Sequence, residues 1–149
     1  MNLGESVPSL GLARVLVAIA SVAVFGCGQS PITPARIETA IESTFANLIH
    51  VRISWLGLPP TAASDFVVTA SCRKLLAGNA GAGDWECRLV WQSPDRRIVH
   101  DTYDLVVATD GCYTATAAGE NLIGPTLKSR DGRDVRNLLY VFEGCFDTT

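Results

Sequence analysis

The stretch WECRLVWQ, residues 85–92, shows the clearest strand pattern in this chain of 149 residues. Apolar side chains occupy every second position, as Trp85, Cys87, Leu89 and Trp91. A period of two places alternate side chains on opposite faces of a β-strand. The stretch therefore predicts a strand with one face in the core and the other in solvent.

Further strand patterns flank this one. They predict strands over residues 66–73, 98–108, 112–118 and 137–146. Turns are expected at residues 93–96, where a proline suits the second turn position, and at Asp110-Gly111. The connection 119–136 is the longest irregular stretch and is predicted to be a mobile loop.

One helix is predicted before the strands. Thr33 suits the N-cap, and Pro34 suits the first helical position because its missing N–H costs nothing there. Helical spacing then defines one stripe: Ile37, Ala40, Ile41, Thr44, Phe45 and Leu48. From His50 the period changes to two, so residues 50–55 are predicted to form a strand that ends at Leu58-Pro59-Pro60.

A helix followed by strands with short connections predicts the α+β class. We expect an N-terminal helix packed on a twisted antiparallel sheet of about five to six strands. The layout resembles the cystatin-like folds, and this likeness of fold implies no function. Trp55, Trp85 and Trp91 are expected in the core, whereas an exposed tryptophan would indicate a ligand platform or contact patch.

The apolar run VLVAIASVAVFG occupies residues 15–26. A helix that spans a bilayer needs roughly 20 apolar residues, so this run indicates the hydrophobic region of a signal peptide. The next residue is Cys27, and Val24-Phe25-Gly26-Cys27 resembles the lipobox of bacterial lipoproteins. The resemblance implies that the Cys27 thiol receives a diacylglyceryl group and that cleavage makes Cys27 the new amino terminus.

This interpretation divides the chain into three parts. Residues 1–26 form the signal peptide, 27–33 a lipid-proximal tether, and 34–149 a single α+β extracytoplasmic domain. The expected location is the bacterial cell envelope, anchored by lipid, with secretion as the alternative. The expected partners are the membrane, through the lipid, and a second envelope protein.

Four cysteines remain after Cys27 is assigned to lipid. They allow three connectivities, and an oxidising compartment favours disulfides. Turn-rich segments lie midway between Cys72 and Cys87 and midway between Cys112 and Cys145. We therefore expect the pairs Cys72–Cys87 and Cys112–Cys145, each across antiparallel strands. Short C-x(2–4)-C pairs typical of zinc sites are absent from the sequence.

Composition and motifs exclude several functions. The chain carries 12 Lys and Arg against 15 Asp and Glu and has no long basic run, which argues against nucleic-acid binding. It contains no phosphate-binding loop, no G-x-S-x-G elbow and no EF-hand loop, so no cofactor or metal is expected.

The leading functional interpretation is a binding or accessory module without catalysis. Its candidate contact surface is the charged part of the 119–136 connection: Lys128, Arg130, Asp131, Arg133 and Asp134. An exposed charged patch can recruit a partner with far less material than a catalytic cleft requires.

Two alternatives remain. The first is a small hydrolase that uses His100 with Asp101 or Asp104, and it requires a nucleophile within about 3 Å of His100. The second is a carrier that holds an apolar ligand between helix and sheet, and a cavity of ~300 Å³ or more would support it.

Overall fold

The computed structural model describes residues 31–59, 62–118 and 124–148. An α-helix, α1 (Pro34–Trp55), and a 3₁₀ turn (Ala63–Asp65) precede seven strands. The strands are β1 (Val68–Lys74), β2 (Gly83–Gln92), β3 (Ile98–Val107), β4 (Cys112–Ala118), β5 (Thr126–Lys128), β6 (Asp134–Arg136) and β7 (Val141–Cys145). The antiparallel main sheet has the order β1-β2-β3-β4-β7, and β5 pairs with β6 in a second sheet. The predicted α+β class is confirmed.

The buried face of α1 packs on the main sheet. Its buried side chains are Ile37, Ile41, Phe45, Ile49 and Ile53. Each step of four residues advances about 40° around an α-helix, so this row winds around the helix axis as a twisted sheet requires. Phe45 lies at the centre, with its ring centroid 5.7 Å from both Trp91 and Tyr103.

The prediction of a strand over residues 50–55 is wrong, because α1 continues to Trp55. Ile49 and Ile53 extend the buried row by two more steps, and this tertiary packing outweighs the strand propensity of the β-branched residues. The alternation of Val51, Ile53 and Trp55 does not separate core from solvent as a strand would. Only Ile53 of these three is buried, and Trp55 is 41% exposed rather than in the core.

A Schellman motif ends the helix. The Gly57 N–H donates to Ser54 O at 3.1 Å, and the Leu58 N–H donates to Ile53 O at 3.2 Å. Gly57 has a φ of +66°, and a Cβ there would lie 2.3 Å from Cδ of Arg130. Leu58 and Ile53 occupy the two positions that this motif usually brings into hydrophobic contact, and both line the same concavity between helix and sheet.

The main sheet follows the alternation predicted from β2. Trp85, Cys87 and Leu89 are fully buried, and Trp91 is 6% exposed. The predicted turns are present, since the Arg96 N–H donates to Ser93 O at 2.7 Å and the Gly111 N–H donates to Ala108 O at 3.1 Å. The strand predictions for β1, β2, β3 and β4 are confirmed to within two residues at each end.

Helix α1 also covers one edge of the sheet. The Ala70 N–H of β1 donates to Glu42 Oε1 at 2.7 Å, and the Cys72 N–H donates to Glu38 Oε1 at 2.8 Å. These N–H groups lie on the edge of β1 that has no strand neighbour. Unpaired strand edges are templates for association, and here two glutamates occupy the donors.

Both predicted disulfides are confirmed, as Cys72–Cys87 and Cys112–Cys145. Each joins residues that are directly opposite in neighbouring strands. The two differ in the face they occupy. Cys72 and Cys87 are buried beneath the helix, whereas Cys145 is exposed on the opposite face of the sheet.

Two predictions for the C-terminal part need correction. The 119–136 connection was expected to be irregular, but it contains the β5–β6 hairpin, while residues 119–123 lie outside the described part. The strand predicted over 137–146 is confined to Val141–Cys145. Asn137 is buried, and its side-chain amide donates to Gly124 O at 2.8 Å. Its side-chain oxygen accepts from the Leu139 N–H at 3.2 Å, and such local bonding favours a turn over a strand.

Candidate functional site

An apolar groove lies between the C-terminal half of α1 and the main sheet. Its volume is about 720 Å³, and it is lined by α1, the segment after it, β2, the β2–β3 turn, β3 and Leu139. The buried floor consists of Ile49, Ile53, Trp91 and Leu139. Pockets for small molecules usually measure ~300–1,000 Å³ and have mostly apolar walls, so this groove has the dimensions of a ligand site.

The rim of the apolar groove is also largely apolar. Half-buried Leu56, Phe66 and Val99 form the walls, and Leu58 is 42% exposed at the mouth. Leu58 owes this position to the Schellman turn at Gly57. A large apolar side chain exposed at the mouth of an apolar concavity indicates a contact surface.

The guanidinium of Arg52 is the principal polar group of the groove. It is half-buried on α1. Burial lowers the pKa of Arg52 from its usual value, while Tyr103 and Asp101 act in the opposite direction. Among the residues that the structure describes, no hydrogen bond or ion pair satisfies this guanidinium. Its N–H donors are therefore available to an acceptor in the groove.

Two polar groups lie buried behind the groove. Asp101 is 4% exposed, and its Oδ2 accepts from Nε1 of Trp91 at 2.8 Å. Tyr103 is fully buried, and its hydroxyl donates to Leu139 O at 2.7 Å. These bonds hold Trp91 and Leu139, two of the four floor residues, in fixed positions.

A second arginine lies at the rim but is already paired. The Arg97 Nε lies 2.5 Å from Asp95 Oδ2. The hydroxyl of Ser93 also donates to Asp95, and this bond, followed by the pairing with Arg97, holds the pKa of Asp95 below its usual value. Arg97 and Asp95 therefore compensate each other, whereas Arg52 has no ion-pair partner among the described residues.

The predicted contact surface lies on the β5–β6 hairpin, where its members pair with each other. Lys128 Nζ is 2.9 Å from Asp134 Oδ1, and Arg133 pairs with Asp131. The Ser129 hydroxyl and Arg133 both lower the pKa of Asp131. Because four of the five charges cancel in this way, the hairpin is less strongly charged than its sequence implies. Its role as a contact surface stays a prediction.

Exposed Trp55 lies beside this hairpin. A shallow pocket of about 720 Å³ is lined by Trp55, Arg130, Arg133 and Arg136, among others. The Arg130 N–H donates to Trp55 O at 3.3 Å, so the hairpin is attached to the end of α1. An exposed tryptophan is the feature that sequence reasoning linked to a contact patch, and it lies next to the predicted surface.

The structure does not bring His100 and Asp101 together. They are neighbours on β3 and face opposite sides of the sheet, with His100 exposed and Asp101 buried. His100, Thr102 and Asp104 share the outer face. In the described part of the chain, no hydrogen bond or ion pair connects His100 with a hydroxyl or carboxylate group. The hydrolase alternative therefore gains no support from this geometry.

Residues 31–59, 62–118 and 124–148 contain no cluster of three or more metal-ligating side chains. In the same ranges, no helix is long and apolar enough to cross a membrane. No protein-family model matches the chain, and no curated protein or solved structure is significantly similar to it. The class of protein is therefore defined by the fold and the groove alone: a disulfide-bonded α+β domain with an apolar groove.

Sequence reasoning missed the apolar groove and Arg52. The sequence pattern predicts a strand at Arg52, whereas the groove forms because α1 runs nearly two turns further, to Trp55. One available signal was the spacing of Ile37, Ile41, Phe45, Ile49 and Ile53, which continues unbroken past His50. A second was Gly57 followed by Pro59, a usual helix stop.

Proposed function

We propose that this chain is a lipid-anchored cell-envelope protein that acts as a non-catalytic binding module, with an apolar small molecule as its ligand. The observation that carries this proposal is the apolar groove of about 720 Å³ between helix and sheet. Its volume exceeds the ~300 Å³ that a carrier of an apolar ligand requires. The lining is formed mainly by aliphatic and aromatic side chains on rigid elements, which favours binding of hydrocarbon without large rearrangement.

Two further observations support the location. Disulfides form and persist in oxidising compartments, and the domain has two of them. The lipobox-like sequence ending at Cys27 supplies the proposed anchor, and Cys27 lies outside the described residues. A lipid anchor would hold the domain near a membrane, where apolar molecules are concentrated.

The ligand proposal is tested with a neutral apolar probe. Purified protein should bind dodecanol below its solubility limit, and Leu58→Asp should weaken binding about five- to tenfold because it places a charge at the mouth of the groove. Leu76→Asp is the matched control, since Leu76 is 66% exposed and lies outside the groove. Calorimetric titration measures the dissociation constants, and circular dichroism verifies folding.

Two results would contradict this proposal. The first is a wild-type protein that binds neither dodecanol nor an ionic amphiphile with the same twelve-carbon chain. The second is equal weakening by Leu58→Asp and Leu76→Asp, which would mean that the probe adsorbs without using the groove.

The anchor has a separate test. Cys27→Ser removes the thiol that lipid would modify, so the variant should be lost from the membrane fraction and accumulate with its leader uncleaved or cleaved elsewhere. Fractionation of the native host and mass spectrometry of the mature terminus measure this. A wild-type mature terminus that carries no lipid would contradict the anchor while leaving the groove proposal intact.

A further inference from the structure

The unsatisfied guanidinium of Arg52 defines the ligand of the apolar groove more closely. Arg52 is half-buried among apolar side chains and is not ion-paired with any described residue. Partial removal from water without a protein partner costs a charged group free energy, although less than full burial does. An acceptor supplied by the ligand would remove that cost and would gain a charge-assisted hydrogen bond.

We infer that the apolar groove binds a single-chain amphiphile with a carboxylate head group, of the fatty-acid type, and that Arg52 holds the carboxylate. This inference rests on the proposed function, since it specifies the ligand of the same groove. The planar guanidinium presents two parallel N–H donors that match the two oxygens of a carboxylate. The hydrocarbon chain then lies along Ile53, Trp91 and Val99.

The charges around Arg52 favour a singly charged head group. Asp101 is buried behind Trp91 and acts electrostatically on Arg52, and Asp95 lies at the rim. These carboxylates repel anions, and Arg97 compensates only Asp95. The lining itself carries about one net positive charge, from Arg52 and Arg97 against Asp95, and buried Asp101 behind it offsets part of that charge. A second negative charge on the ligand would therefore find no cation to pair with, which favours a carboxylate over a doubly charged phosphate monoester.

The carboxylate of Asp101 does not occupy the N–H donors of Arg52 that the ligand carboxylate would use. Asp101 already accepts a hydrogen bond from Trp91, and it acts on Arg52 electrostatically without forming an ion pair with it among the described residues. Asp101 thus offsets part of the cost of burying Arg52 and leaves the N–H donors open towards the groove.

The experiment compares head groups at constant chain length. Dodecanoic acid, dodecanol and dodecyl phosphate are titrated calorimetrically into the purified protein at about pH 8, where the carboxyl group is ionised. The wild-type protein should bind dodecanoic acid at least tenfold more tightly than dodecanol, and more tightly than dodecyl phosphate. Arg52→Gln should abolish the preference for the acid and leave the affinity for dodecanol within about twofold.

Two further variants complete the design. Arg97→Gln is the matched control, because Arg97 also lines the groove but is paired with Asp95, and it should retain the preference for the acid. Arg52→Lys keeps the charge without the planar donor pair, so it should show an intermediate preference and serves if Arg52→Gln does not fold.

Each result has one consequence. Equal wild-type affinities for acid and alcohol would overturn the carboxylate inference and leave the proposed groove function standing. A preference for the acid that persists in Arg52→Gln, or is lost equally in Arg97→Gln, would overturn the role of Arg52. If the wild-type protein binds dodecyl phosphate more tightly than dodecanoic acid, the inferred head group is wrong and the groove prefers a phosphate. No binding of any of the three amphiphiles would overturn the proposed function itself.

Discussion

At the scale of single residues, the helix–sheet interface contains polar groups whose hydrogen bonds set the shape of the groove. Tyr103 is fully buried and bonded to Leu139 O, while Tyr113 donates to the Thr44 hydroxyl at 3.0 Å. Burial is the main cause that raises the pKa of both tyrosines. Each of these phenols is therefore held neutral in the folded protein to higher pH than in the unfolded chain.

These two tyrosines predict a loss of stability at alkaline pH. A group with a raised folded pKa contributes stability that is fully present below its unfolded pKa, about 10 for tyrosine, and is lost as pH rises above it. Between about pH 9 and pH 11, Tyr103 should lower the free energy of unfolding by about 1.4 kcal/mol, and Tyr113 should add a loss in the same direction. Urea denaturation at the two pH values measures the difference.

Tyr103→Phe provides the comparison for this prediction. The variant loses the bond to Leu139 O and is less stable at pH 9, but its further loss up to pH 11 should be smaller than in the wild type by about 1.4 kcal/mol. An unchanged pH dependence in Tyr103→Phe would contradict the assignment.

At the scale of elements, α1 both packs on one face of the main sheet and covers the edge of β1. The buried row packs on the sheet, and the partly buried Glu38 and Glu42 reach the N–H groups of Cys72 and Ala70. The helix therefore supplies hydrogen-bond acceptors to the edge of β1, which a neighbouring strand would otherwise supply. Charged side chains and covering elements are usual protections of sheet edges.

Removing both glutamates is predicted to expose this edge. Glu38→Ala with Glu42→Ala should lower the free energy of unfolding by about 1–3 kcal/mol, because two backbone donors lose their acceptors. The variant should also self-associate through β1. Urea denaturation measures the first effect and sedimentation velocity the second.

Glu143→Ala is the control for this pair, since Glu143 lies exposed on β7 and, among the described residues, accepts no hydrogen bond from a strand edge. It should change neither stability nor association. A double variant that remains monomeric and as stable as the wild type would show that the two glutamates do not protect the edge.

At the scale of the whole molecule, the two disulfides join strands near opposite edges of the main sheet and lie on its opposite faces. They close loops of 15 and 33 residues in sequence separation. From loop entropy alone, Cys112–Cys145 should stabilise the fold by about 3.7 kcal/mol and Cys72–Cys87 by about 3 kcal/mol. Burial acts in the opposite sense, since Cys72 and Cys87 are in the core and Cys145 is exposed.

Replacing each pair by alanine separates these effects. Cys112→Ala with Cys145→Ala should cost about 3–4 kcal/mol of unfolding free energy. Cys72→Ala with Cys87→Ala should cost more, because the lost sulfur atoms leave a cavity beneath α1 in addition to the lost cross-link. Urea denaturation of the two double variants ranks them, and a larger loss for the outer pair would contradict the role of burial.

The sequence by itself determined what depends on neighbours along the chain. The period of two over residues 85–92 predicts the strand and its buried face, and the turns at 93–96 and 110–111 set the hairpins. Because hairpin partners are close in sequence, the pairing Cys72–Cys87 follows from the position of the turn between them. The start of α1 at Pro34 is equally local.

Only the tertiary structure decided where α1 ends and what its last turns contact. Val51, Ile53 and Trp55 fit a strand or a helix, and the choice depends on whether Ile53 finds a place on a sheet formed by residues much later in the chain. The apolar groove joins α1 with β2, β3 and Leu139, and the availability of Arg52 depends on which carboxylates come near it. These features were beyond the sequence pattern, because burial and charge pairing arise from contacts between distant segments, and local periodicity carries no information about which segments meet.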